Sequence, residues 1–103
     1  MIETVMTFDL LPGIDMQAYQ AWVAKAVETV SKQPGLVEFH ANRSLLGCPM
    51  QRTVTVWKTA EDWVRFDAGP WQTMGMEMHR YATNSKVEVW GPSPVVAGSV
   101  KGG

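Results

Sequence analysis

The sequence predicts an α+β domain of the ferredoxin-like, split βαβ kind, with a four-stranded antiparallel sheet and its helices on one face. Three observations predict it. Short β-branched alternating stretches are interleaved with stretches of helical period. The resulting order reads β-α-β-β-α-α-β. Its two crossovers, being right-handed, place the helices on the same side of the sheet. A chain of 103 residues forms one domain, assigned to residues 1–90, with a tail over 91–103.

Ile2 to Leu10 alternates loosely and carries Val, Thr and Phe, a first strand broken by Leu11, Pro12 and Gly13. Asp15 is the N-cap of the first helix. Tyr19, Trp22, Val23, Ala26, Val27 and Val30 form its apolar stripe, and Pro34 and Gly35 stop it. Leu36 to Leu46 is the second strand, with Val37, Phe39 and Ala41 on one face and Glu38, His40 and Asn42 on the other. Gly47, Cys48 and Pro49 turn the chain into a hairpin.

The stretch Thr53 to Phe66, TVTVWKTAEDWVRF, changes period midway. Thr53, Thr55 and Trp57 alternate with Val54 and Val56 as a third strand. Thr59 then caps a helix by accepting the Asp62 N–H, and Trp63 and Phe66 share its inner face. Trp57 and Trp63 are thereby brought near each other. Gly69 and Pro70 open a third helix over Trp71 to Ala82, whose interior Gly75 implies close packing or a ligand. Lys86 to Trp90 is the last strand, with Val87 and Val89 inward.

Pattern alone groups Val37, Phe39, Val54, Val56, Val87 and Val89 beneath the helices. It leaves Glu38, His40, Asn42, Thr53, Thr55, Trp57, Glu88 and Trp90 on the opposite face. That face is too aromatic to stand in water and too polar for a dry core, so the expected cover is a second copy in a two-fold homodimer. The Gly/Pro/Ser/Val tail is expected to dock on that neighbour.

A net charge of −1 supplies no basic field for nucleic acid or anionic membrane. No apolar run approaches the ~20 residues of a membrane span, and MIETVMTF lacks the pattern of a signal peptide. The lone Cys48 excludes an internal disulfide and points to a reducing cytoplasm. There is no GxGxxG, Walker loop or CxxC, so nucleotide cofactors have no signal. Two histidines and one cysteine at no metal-ligand spacing give no metal site.

His40, between Glu38 and Asn42, suits either a general base or a hydrogen-bonded interface residue. His79 shares a helical stripe with Trp71 and Gly75, as a base at a pocket edge or as a side chain bordering solvent. Trp57 and Trp63 suit a pocket for a flat ring, or ordinary core.

The stretches TVTVWKTAEDW and PGLVEF resemble the antibiotic-biosynthesis-monooxygenase-like family of dimeric α+β barrels, over Ile2 to Trp90. The resemblance implies a ferredoxin-like protomer, sheet-to-sheet pairing, and an apolar pocket between helices and sheet. It also implies oxidation of electron-rich phenols, anthrones or hydroquinones by O2 without a cofactor. Trp57 matches the strand-end Trp of the aromatic-polyketide oxygenases. Thr53 stands where they carry an Asn, and Trp63 where they carry a Tyr. Trp71, in AGPWQ, replaces the His of a common family segment. Haem-degrading relatives are matched less well: strand one has no Asn, Phe66 replaces their second Trp, and only His79, out of register, answers for their His.

The expected function is therefore cofactor-independent oxidation of a planar aromatic. Trp57, Trp63, Phe66, Trp71 and Asn42 are the expected substrate contacts, Thr53 a hydrogen-bond donor, and His79 or His40 the proton acceptor. A non-catalytic dimeric module holding a hydrophobic metabolite, and a cofactorless isomerase or cyclase, are the alternatives.

Overall fold

A computed structural model describes all 103 residues. The elements are β1 (Ile2–Leu10), α1 (Met16–Ser31), β2 (Leu36–Arg43), β3 (Gln51–Trp57), α2 (Ala60–Ala68), α3 (Pro70–Met78) and β4 (Ala82–Trp90). The sheet order is β2-β3-β1-β4, every neighbouring pair antiparallel. This is the split βαβ plan. β3 lies between β1 and β2, which run parallel and are joined by the α1 crossover.

The predicted punctuation is realised. The Asp15 carboxylate accepts from the Gln17 and Ala18 N–H groups at 3.0 and 3.2 Å, opening α1. Thr59 Oγ1 accepts the Asp62 N–H at 3.2 Å, and Pro70 begins α3. Gly35 has φ +82°, and a Cβ there would run into the Asp62 side chain, so this turn requires glycine on both counts.

Several boundaries differ from expectation. Helix α3 ends at Met78 rather than Ala82, and β4 begins at Ala82 rather than Lys86. Pairing decides this: Ala82 stands opposite Leu10 on β1 and is buried with Phe8 and Met78. Asn84, at φ 56°, lies in the register shift between the Thr7–Lys86 and Asp9–Thr83 pairs. Strand β2 also stops at Arg43, short of the expected Leu46.

The larger correction concerns β3. Directly opposed residues of an antiparallel pair project from the same face. Thr55 stands opposite Phe39 and Thr4, and Thr53 opposite Ala41 and Met6. Thr53, Thr55 and Trp57 therefore lie beneath the helices, together with Ile2, Thr4, Met6 and Phe8 of β1. Val54 and Val56 lie on the uncovered face with Glu38 and His40, the reverse of the expected assignment. The physical reason is the size of Trp57. It fills the main core with Val30, Phe66 and Met74 and is fully buried, at 0 % exposure.

The uncovered face carries its own small cluster of Val5, Val54 and Val56, with Trp90 54 % exposed at one edge. The residues of the tail, 91–103, form no helix or strand and are all exposed. No helix is long and apolar enough to cross a membrane.

Candidate active site

Between the helices and the covered sheet face lies a cavity of about 410 Å³. That falls within the range of about 300–1,000 Å³ typical of small-molecule pockets. Its floor is the inward row of the sheet, including Thr4 and Met6 of β1 and Thr53 and Thr55 of β3. Its roof is the apolar stripe of α1, from Tyr19 to Val30. One wall comes from α2 and α3, with Trp63, Phe66, Asp67 and Trp71.

The aromatic wall is a packed series. The Phe66 ring lies between Trp57, at a centroid distance of 5.3 Å, and Trp71, at 6.2 Å. Trp57 does not line the cavity but stands one layer behind Phe66. Its indole N–H donates to Thr55 Oγ1 at 2.8 Å. It thus orients a floor residue while supporting the wall. The Trp71 indole rests on Gly75, which explains the glycine inside α3.

At the other end, Tyr19, Trp22 and Tyr81 pack together, with centroids 5.6 to 6.4 Å apart. The Trp22 Nε1–H reaches Glu77 Oε1 at 3.4 Å and ties α1 to α3. Burial raises the Tyr19 pKa above the ordinary phenol value, and the phenol can donate a hydrogen bond.

Polar groups in the cavity are few. The Thr4 hydroxyl is shielded from solvent and has no hydrogen-bond partner in the protein. Asp67 is the only carboxylate on the wall, and no Lys, Arg or His lines the cavity.

Of the residues singled out in the sequence, Thr53, Trp63, Phe66 and Trp71 converge on this cavity. His40 and Asn42 lie on the uncovered sheet face. There His40 Nδ1 is 3.2 Å from Glu38 Oε2, and Asn42 Oδ1 accepts from Arg52 at 2.8 Å. His79 is the exposed C-cap of α3, outside the cavity lining. Thr4, Tyr19 and Asp67 were not singled out as site residues. The signal for Thr4 was available in the alternation of β1, once its phase relative to β3 is known. Asp67 follows Phe66 on a short amphipathic helix and reads there as an ordinary solvated residue.

Solved structures share this architecture. SnoaB, a cofactor-independent oxygenase from Streptomyces nogalater, superposes with a TM-score of 0.74 at 15% identity, over 89% of this chain and 92% of that one. This is the fold of the antibiotic-biosynthesis-monooxygenase-like proteins. A Nitrosomonas europaea protein classed with the antibiotic biosynthesis monooxygenases gives 0.71 at 16% identity, over 88% and 97%. MhuD, in a structure with two manganese protoporphyrin IX bound per active site, gives 0.71 at 20% identity, over 99% and 100%. No family sequence model matches the chain, and no curated protein sequence does.

Proposed function

We propose that the protein is a cofactor-independent oxygenase acting on a planar, weakly acidic aromatic held in the cavity between helices and sheet. The observation that carries this reading is the cavity's construction. A wall of Trp63, Phe66 and Trp71 faces apolar helix residues, over a floor of three threonines. Flat aromatic faces favour flat ligands, and the few hydroxyls fix which edge of the ligand points inward. The fold shared with SnoaB adds support.

The chemistry belongs largely to the substrate. A ring carbon activated by a neighbouring phenol or carbonyl loses a proton, and Asp67 is the group on the wall able to accept it. The carbanion passes one electron to O2, and the two radicals couple to a peroxide that recovers the proton. Loss of water leaves a carbonyl, so that a CH2 group and O2 become C=O and H2O. The protein orients the ring, excludes water and stabilises the oxyanion through the Thr53 hydroxyl.

The uncovered face, with its valine cluster and exposed Trp90, would pair with the same face of a second copy. The dimer leaves the cavity of each protomer intact, because the cavity opens on the other side of the sheet.

A second reading, a binding module for a hydrophobic metabolite, is favoured by the placement of both histidines outside the cavity. Oxygen-electrode measurements separate the two. The oxygenase consumes one O2 per anthrone or hydroquinone converted, whereas a binding module protects the ligand and consumes none. Absence of uptake across such a panel contradicts the oxygenase reading.

A further inference from the structure

The cavity wall has an unusual charge inventory. Twenty-two residues line it, sixteen of them hydrophobic, and Asp67 is the single acidic side chain among them, with no basic one. Tyr19, the other ionisable group, is a neutral phenol, and burial raises its pKa further. Asp67 belongs to the last turn of α2 and is half-buried between Phe66, which is buried, and the α2–α3 junction at Gly69. No protein cation is paired with its carboxylate. Arg65, two residues before it, is engaged with Asp62 at 3.1 Å.

We infer that Asp67 is a charge filter, which confines the site to uncharged or cationic flat polycycles and rejects those carrying a carboxylate. This deepens the reading of the cavity as an aromatic site and rests on it. Two effects act on an anionic ligand. Burial in an apolar cavity penalises its charge, and no cation on the wall offsets that cost. An unpaired like charge at the wall then adds repulsion, which low-dielectric surroundings strengthen. A neutral weak acid escapes both. When its proton moves to Asp67, the site holds one negative charge before and after the transfer. A ligand arriving already charged would bring a second. Porphyrins with ionised propionates therefore fall outside the substrate class, despite the shared fold.

The test uses three anthracenes of equal ring size at pH 7. They are the neutral 9-anthracenemethanol, the anionic anthracene-9-carboxylate and the cationic 9-(aminomethyl)anthracene. Quenching of the cavity tryptophans Trp22, Trp63 and Trp71 reports binding without O2 or turnover. The neutral and cationic probes should bind, and the carboxylate at least about tenfold more weakly, as one pKa unit of differential interaction implies. In Asp67→Asn the gap between carboxylate and alcohol should narrow by at least about threefold, because the repulsion goes while the burial cost stays. Equal binding of carboxylate and alcohol to the parent overturns the filter alone. So does a gap that Asp67→Asn leaves unchanged, because burial would then account for all of it. Failure of the neutral probe to bind overturns the aromatic-site reading and the filter with it.

Discussion

The indole of Trp71 lies against the bare Cα of Gly75, where a Cβ would sit 3.3 Å from ring atoms Cε2 and Nε1. That approach fixes the plane of one cavity wall. Gly75→Ala gains up to about 1 kcal/mol of helix propensity. The ring must in return shift by a few tenths of an ångström. Denaturant unfolding should place the variant within about 1 kcal/mol of the parent, while Trp emission and affinity for a flat probe both change. An unaltered affinity would mean that the wall tolerates a moved indole.

Trp57 is a support rather than a surface. Fully buried and bonded to Thr55, it should cost about 2 kcal/mol when replaced by Phe, through a small void and a lost hydrogen bond. Trp63→Phe, on the cavity wall, should cost less stability and more probe affinity. Paired unfolding and binding curves check the contrast, and the reverse ranking would contradict it.

Thr4 offers a stability gain. Its hydroxyl is buried without a partner, so the nearly isosteric Thr4→Val should stabilise the protein by about 1 kcal/mol. A lower unfolding midpoint would show that the hydroxyl finds a partner in solution.

Asp9 predicts an acid limb. Its carboxylate accepts from Asn84 Nδ2 at 3.1 Å and from the Met50 N–H at 2.9 Å, and these bonds hold its pKa below the usual carboxylate range. A depressed folded pKa contributes stability above the ordinary carboxylate pKa, lost as the pH falls through the folded value. The loss therefore lies below about pH 4. Asp9→Asn should flatten that limb in unfolding midpoints taken between neutral and acidic pH. The same carboxylate raises the Cys48 thiol pKa through a hydrogen bond and its charge, so Asp9→Asn should also speed Cys48 alkylation at mildly alkaline pH.

The elements were legible because their signals are local. Asp15 and Thr59 cap, Gly35 and Pro70 punctuate, and the period changes between Trp57 and Ala60. The relative phase of the strands was not legible. Alternation sorts each strand into two faces but does not say which face of β3 joins which face of β2. Valines invite an inward assignment, yet the inward row of β3 carries Thr53 and Thr55, whose more polar side chains floor a cavity. The same gap moved His40 and Asn42 away from Thr53, because residues read as sharing a face stand on opposite sides of the sheet. The end of α3 was missed because Ala82 suits a helix locally and is claimed by Leu10 across the sheet.

The uncovered sheet face makes a separate prediction. Trp90 is more than half exposed beside the valine cluster, so Trp90→Glu should leave the protomer folded and convert a dimer to a monomer in sedimentation. A parent that sediments as a monomer at micromolar concentration would contradict the pairing.

The cavity as the binding site is tested most directly by filling it. Ala41 lines the cavity from the edge strand β2 and is itself exposed, so Ala41→Trp places an indole in the space without disturbing the core. The expected result is saturable one-to-one quenching by 9-anthracenemethanol in the parent and none in the variant, with both equally folded by circular dichroism. Binding retained in the filled variant would place the ligand elsewhere and contradict the account.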